Sequence, residues 1–522
     1  MLYGVAYGYI DCDRNQLFLL PPSMLDWLEE DDLAFFVIDT VELIDTSAFH
    51  EGHPNDGAGR RAYHPDMMLA LLLYAYCTGM RSSRAIERAC RTDLAFKVIA
   101  ANKTPDHGTI ARFRAEHEEP IKGVFVDVLR LCATAGMASL GRIAIDGTKI
   151  GADAALDKNR SATWIRAEID KILAEAAETD TAEDAEAQLF DPVMLPAPLR
   201  RRSTRLERLQ GALEEVEAQE KATRAKQAEA ADRAAAEASV GRKIPGRKPS
   251  DPHAALLRAE ADLAASKVKA ASHPNRADLG RGVSSAEERV GEAKKAAEAA
   301  PPEKFEANVT DPDSRIMNTK QGWVQGYNVQ AAANEDQVVI AYSATQDHND
   351  QNQLVPMIEA TEETAKAAGI EEDIGLVLAD AGYWSEDNAT SPGPDRLIAT
   401  AKDWKQRKAA RELGNTVGPP PADATTLEAM EHRLRTKEGG EAYATRSCTV
   451  EPVFGDAKEN RGYRRFVRRG LSAADSEAGL IFAAQCVTNA EGGSSVERSQ
   501  EAMLCKRWRI VGPPASAFGG WR

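Results

Sequence analysis

Apolar residues recur at helical spacing through the first 140 positions. Met67, Met68, Leu71, Leu72 and Ala75 make one such face, opened by Pro65 at a first-turn position and stopped near Gly79. The next helix carries Arg81, Arg84, Arg88 and Arg91 in steps of 3, 4 and 3, one basic stripe with Ile86 and Ala89 left for the core. Two more helices follow the break at Lys103-Thr104-Pro105, one through Ile110, Phe113 and His117, the other from Pro120 to about Ala135. At Arg142-Ile143-Ala144-Ile145-Asp146-Gly147-Thr148 the period changes to a short β-rich run that ends in an acid and a turn. From about 161 to 300 Ala, Glu, Lys and Arg dominate. Leu206, Leu209, Leu213 and Val216 form a short coiled-coil seam there. Breaks near Pro196, across Gly241–Pro252 and at Pro274–Gly282 shape this stretch into a helical hairpin with an interrupted returning arm. Residues 305–400 return to α/β character. A hairpin joins Gly322–Ala333 to Gln337–Ala344, and a helix runs from about Asn352 to Ala368. A buried strand, Ile374–Ala379, ends at Asp380, and another strand lies at Arg396–Thr400. This order suits a mixed sheet with helices packed on it. The Gly/Ser/Pro-rich stretch from Glu491 predicts a poorly ordered tail.

Charge first points away from nucleic acid and then back toward it. The formal net charge is −16, but residues 301–400 alone carry −13 and the first 50 residues −9. The rest is close to neutral, with tight basic clusters. Arg200, Arg201, Arg202, Arg205 and Arg208 form one. Arg242, Lys243, Arg247 and Lys248 form a second, in a Gly/Pro-rich turn at the hairpin tip. Arg461, Arg464, Arg465, Arg468 and Arg469 form a third, with no acid among them. Local charge governs phosphate binding more than the global sum does. Several short helices carrying an arginine stripe resemble a helix-turn-helix-type DNA-binding module; an ordinary helical domain with a wet basic face is the equal alternative. The longest apolar run, Met67–Cys77, is far short of the roughly 20 residues that span a bilayer, and no signal-peptide pattern opens the chain. A soluble, cytoplasmic protein with no membrane partner is expected. Seven scattered cysteines without C-x-x-C argue against a disulfide framework or a structural zinc site.

Two acids stand at the ends of core strands, Asp146 and Asp380. Each alone reads best as a turn cap. Together, at neighbouring strand ends of a mixed sheet, they make two-thirds of a divalent-cation site. With two metals about 4 Å apart, such a site suits in-line displacement at phosphorus. The third ligand is expected in Tyr443–Lys458. Continuous helical rotation would put Tyr443, Arg446, Glu451 and Lys458 within about 140° of one face, with Glu451 toward metal and Arg446 and Lys458 toward flanking phosphates. Pro452 favours a kink or a helix start at this point, and Asp456 is the nearest competing acid.

The chain resembles the DDE transposases of bacterial insertion sequences, in the subgroup with a Tyr-Arg-Glu-Lys signature. The resemblance rests on Tyr63-His64-Pro65, Gly79-Met80-Arg81-Ser82-Ser83-Arg84, Pro105-Asp106-His107 to Phe113-Arg114, and Ile145-Asp146-Gly147-Thr148-Lys149. It continues in Thr310–Arg315, Gly326–Gln330, Ala379-Asp380-Ala381-Gly382-Tyr383 and Val450-Glu451-Pro452-Val453-Phe454-Gly455. It implies a ribonuclease-H-like mixed-sheet core interrupted by a long helical hairpin insertion, behind an all-helical N-terminal domain. The bounds would be 1–140 for the DNA-binding helices, 141–155 for the first core strand, 156–304 for the insertion, 305–490 for the rest of the core and 491–522 for the tail. It further implies catalysis by Asp146, Asp380 and Glu451, two Mg²⁺ or Mn²⁺ ions, and a nucleoid-associated homodimer that synapses two transposon ends before attacking target DNA, with no small-molecule substrate. DNA contacts are expected from Arg81–Arg91, Arg242–Lys248, Tyr443, Arg446, Lys458, Arg461, Arg464 and Arg465. An inactive DNA-binding remnant and a structure-selective nuclease with the same core are the competing readings. One departure stands out: four residues separate Arg446 from Glu451, where the usual signature has three.

Overall fold

The computed structural model describes residues 24–51, 62–186, 197–240, 252–271, 277–299, 305–401 and 416–492. The chain forms two compact units, Met1–Asp153 with Ile316–Arg522, and Ala154–Arg315.

The first unit opens with helices α1 (Leu33–Leu43), α2 (Ser47–His50), α3 (Pro65–Cys77), α4 (Ser83–Thr92), α5 (Leu94–Ile99), α6 (His107–Glu116) and α7 (Glu118–Thr134). Asp32, Asp93 and Asp106 cap α1, α5 and α6 by accepting backbone N–H bonds, which supplies partners for donors the first helical turn leaves open. Every residue of α3 from Met68 to Cys77 is buried, so the apolar face read from the sequence is a helix enclosed on all sides. Strand β1 (Arg142–Gly151) follows.

In the second unit β2 (Asn159–Ser161) pairs antiparallel with β3 (Glu306–Asn308). Between them run α8 (Ala162–Glu186), α9 (Ala197–Val240), α10 (Pro252–Ala271) and α11 (Ala277–Ala299). Ile165 and Ile172 of α8 pack with Leu209, Ala212 and Val216 of α9 and with Ala307. The coiled-coil seam is therefore satisfied within the chain, against α8. Residues 305–315, expected with the core, belong to this unit. The basic turn Arg242, Lys243, Arg247 and Lys248 and the tail from 493 lie outside the described residues.

The first unit resumes with β4 (Arg315–Thr319), β5 (Gly322–Asn334), β6 (Val339–Thr345), α12 (Leu354–Ala367), β7 (Leu376–Ala379), α13 (Glu386–Thr390) and β8 (Asp395–Ile398). It ends with α14 (Thr426–Arg435), α15 (Lys437–Ala444), α16 (Arg446–Gly455) and α17 (Leu471–Gly492). The sheet is mixed, in the order β4-β5-β1-β7-β8, with β6 also on β5. Strand β1 is antiparallel to β5 from Ile143↔Asn334 to Gly151↔Gly326 and parallel to β7; β7 is parallel to β8. The expected end of β1 at Asp146 is corrected by this register: β5 offers a partner along its whole length, and β1 continues five residues past the acid. Helix α17 is buried from Ala473 to Ala490 apart from a few positions and packs on α3, α7 and β6. A Cβ on Gly479 would fall on the Tyr342 hydroxyl, so only glycine lets α17 approach β6 there. Among the described residues no helix is long and apolar enough to cross a membrane.

Candidate catalytic site

The β1–β7 register builds the floor of the site. Arg142 to Ile145 pair with Leu376 to Ala379, so the next residue in each parallel strand is an aspartate, Asp146 or Asp380. Asp380 then starts a short 3-10 turn and accepts the Gly382 N–H at 2.8 Å. The two acids feel each other. Burial, and then the Asp380 charge, push the Asp146 carboxyl up from 3.8 to about 6, as desolvation and a like charge both disfavour the anion.

Helix α16 supplies the rim. Arg446 is buried and bridges two acids, donating from Nη1 to Asp146 Oδ2 at 3.1 Å and from Nη2 to Glu451 Oε1 at 3.0 Å. Burial pulls the guanidinium down, but Tyr443, Asp146, Asp380 and Glu451 outweigh it and hold its pKa above the ordinary value. Four anionic or acidic groups thus converge on one cation. The Glu451 side chain is 51% exposed and faces solvent, against 21% for Asp146.

Tyr443, Arg446, Glu451 and Lys458, expected on a single helical face, do not share one regular helix. Tyr443 is on α15, the chain breaks at Thr445, α16 ends at Gly455, and Lys458 sits in a π-helical turn, Asp456–Asn460. The extra residue between Arg446 and Glu451 turns them about 100° further apart than the usual spacing does. Placing Arg446 at the first residue of α16 lets its long side chain make up the difference. Pro452 neither starts nor ends α16. Its missing N–H leaves the Cys448 carbonyl short of a helical donor, and Gln337 Nε2 supplies the bond at 3.0 Å.

A fourth carboxylate, missed in the sequence, completes the floor. Asp350 follows β6, and its Oδ1 accepts from Asn328 Nδ2 at 2.7 Å, Gln330 Nε2 at 2.9 Å and Lys149 Nζ at 3.2 Å. Gln330 Oε1 in turn accepts from the Tyr383 hydroxyl. Burial, then Asp146, Asp350 and Asp380, hold that hydroxyl well above its usual range, so it stays a donor. Gly147 is the residue that admits this network: a Cβ there would fall on Gln330 Nε2 and 2.5 Å from Asp350 Oδ1. The sequence signal was the pair of polar residues, Asn328 and Gln330, in a strand that is buried from Gln325 on. Such groups need polar partners.

The expected DNA contacts among the described residues divide into two sets. Arg84, Arg88 and Arg91 are exposed on α4, with Arg91 paired to Glu87. Arg465 is exposed, and Arg464 is about half-exposed and paired with Glu459. The others are taken up inside the fold. Arg81 donates to the Arg465 carbonyl and stacks 5.5 Å from the Tyr463 ring. Lys458 Nζ holds β1 through Thr148 Oγ1 at 2.5 Å and the Lys149 carbonyl at 2.9 Å; burial and the Arg464 charge lower its pKa. Arg461 binds Asp456, the Cys77 carbonyl and Thr488. Arg446 is buried and Lys458 and Arg461 part-buried, and each has partners within the protein, as enclosed cations need.

The donor set at Asp146, Asp380 and Glu451 consists of hard carboxylate oxygens, which suit Mg²⁺ or Mn²⁺. The donor chemistry fits such an ion, while Arg446 occupies the space between Asp146 and Glu451, and the three acids do not bring ligand atoms within 4.8 Å of one another.

The family comparisons bear on the N-terminal helices and on the C-terminal stretch that carries Arg446 and Glu451. A family model described as Transposase domain (DUF772) matches residues 23–116, and one described as Transposase DDE domain matches residues 408–489. These matches bear out the resemblance to DDE transposases of insertion sequences. No curated protein and no solved structure matches the chain.

Proposed function

We propose that this chain binds the terminal inverted repeats of an insertion sequence and catalyses strand cleavage and strand transfer on double-stranded DNA. The reading takes the mixed sheet as a ribonuclease-H-like core with Asp146, Asp380 and Glu451 as its acids. The observation that carries it is the β1–β7 register, which sets Asp146 beside Asp380 while Arg446 ties Glu451 to Asp146.

In this reading Asp146, Asp380 and Glu451 hold two Mg²⁺ or Mn²⁺ ions. When bound, these ions supply Lewis-acid activation of the attacking water or 3′-hydroxyl and stabilise the leaving oxygen. Arg446 keeps the rim carboxylate over the floor until substrate and cation enter, and Lys458 fixes the turn after α16 to β1. Tyr383 and Gln330 brace the floor from beneath. Arg84, Arg88, Arg91, Arg464 and Arg465 offer charge to DNA phosphates, and two copies of the chain bring two ends together.

Asp380→Asn is the direct test. It keeps shape and the turn-capping oxygen and removes one negative charge. With DNA carrying the element's own ends and Mg²⁺, nicking by the variant should fall about 10²–10³-fold below that of the wild-type chain, the loss expected when one transition-state charge-stabilising group is removed. Nicking that survives the substitution sinks the assignment.

A further inference from the structure

The catalytic reading leaves one cluster of metal-type ligands unused. His50 ends α2, His64 precedes α3 as its N-cap, and Asp66 lies in the first turn of α3. Among the described residues this is the one group of three His, Cys, Asp or Glu whose ligand atoms all lie within 4.8 Å of one another. The three catalytic acids, with Arg446 between two of them, do not form such a group.

The geometry has two informative distances. His50 Nε2 is 2.8 Å from Asp66 Oδ1, while His64 Nδ1 is 3.6 Å from Asp66 Oδ2. The first is a hydrogen bond. The second is too long for one, although the ring nitrogen faces the carboxylate. Four ligands placed tetrahedrally at 2.0–2.1 Å from a metal stand about 3.3 Å apart. The two observed separations run to different oxygens of the Asp66 carboxylate, and one ligand atom from each of the three groups lies within 4.8 Å of the others, so a modest shift would seat an ion between them. The imidazole rings meet edge to face with centroids 5.3 Å apart.

Donor chemistry selects the ion. Two imidazoles and one carboxylate favour a borderline transition ion such as Zn²⁺, Co²⁺ or Ni²⁺ over Mg²⁺, which prefers oxygen and keeps its waters. All three side chains are partly open to solvent, so an ion has an entry path and a remaining position for water.

We infer that His50, His64 and Asp66 form a transition-metal site that clips α2 to the start of α3. The inference is independent of the catalytic reading. It uses residues far from β1, β7 and α16 in sequence and a different class of ion.

The test is titration of chelator-treated full-length chain with Co²⁺ in excess Mg²⁺, which occupies oxygen sites without competing for imidazole. About one Co²⁺ per chain should bind, with visible d–d absorption of nitrogen-ligated cobalt. The signal should persist in Asp146→Asn/Asp380→Asn and vanish in His50→Gln and His64→Gln. His64→Cys, which restores a ligand, should regain the ion with a thiolate charge-transfer band. Uptake unchanged by His50→Gln and His64→Gln, or lost only in the Asp146→Asn/Asp380→Asn chain, overturns the inference. No uptake by the wild-type chain does so as well. If the His→Gln variants misfold by circular dichroism, the thiolate band of His64→Cys decides alone.

Discussion

At the residue scale, Asp146 carries the sharpest consequence. Its carboxyl is raised from 3.8 to about 6 by burial and by Asp380. Between those two pH values the folded chain binds a proton that the unfolded chain has released, so stability falls as pH rises through this window. Above about pH 6 the ionised group is a net cost of roughly 1–3 kcal/mol. In chelator at pH 8, Asp146→Asn should therefore raise the melting temperature, and at pH 4 the gain should disappear. Calorimetry at the two pH values checks both halves, and a variant less stable than wild type at pH 8 contradicts the electrostatic account. The sequence identified Asp146 as an acid beside a core strand, and that much was legible from the apolar run before it. That it lies inside the strand was not legible, because strand length depended on β5, almost 180 residues away in sequence. Asp350 was invisible for a related reason: its partners Lys149, Asn328 and Gln330 sit on two other strands, and no local spacing connects them.

At the element scale, Asp350 acts as a joint. It receives Lys149 from β1 and both Asn328 and Gln330 from β5, and through Gln330 it reaches Tyr383 in the turn that follows β7. Asp350→Ala leaves three donors without their acceptor in a largely enclosed place. The expected cost is about 2–4 kcal/mol, since an orphaned buried donor loses its full desolvation penalty. Urea denaturation measures it; a loss below about 1 kcal/mol would mean that water replaces the carboxylate and the joint is not structural. Local patterning served best where an element is amphipathic or flanked by turns. The 322–344 hairpin and the strand before Asp380 lie near their expected bounds, whereas the arginine helix α4 starts at Ser83 and carries Arg84, Arg88 and Arg91 but not Arg81. Helix α17 escaped because it is buried on nearly every side, with Ser476, Glu477 and Gln485 enclosed along with its apolar residues, which erases the periodic signal. The break between α15 and α16 escaped because nothing short of Thr445 marks it, and the strong breaker nearby, Pro452, lies inside α16 with Gln337 satisfying the carbonyl it leaves open.

For the whole molecule, the question is how a chain of net charge −16 holds a polyanion. Part of the acid is paired within the fold. Asp146 and Glu451 face Arg446, Asp350 faces Lys149, and Glu118 faces Arg468. The exposed arginines of α4 stand against little local acid beyond Glu87, and Debye screening over roughly 8–10 Å confines distant carboxylates to a minor role at physiological salt. Binding should then depend on a small number of local cations, and its salt dependence counts them. Each neutralised phosphate contributes about −0.9 to the slope of log K against log salt. Replacing Arg84, Arg88 and Arg91 together by Ala should lower the magnitude of that slope by roughly 2–3 and weaken binding to end DNA and unrelated DNA alike, because phosphate contacts carry no sequence information. Fluorescence anisotropy across a salt series reads both quantities. A slope unchanged by the triple substitution would move the DNA surface away from α4. A loss confined to end DNA would mean that these arginines read bases, with the stripe lying in a groove rather than along the backbone.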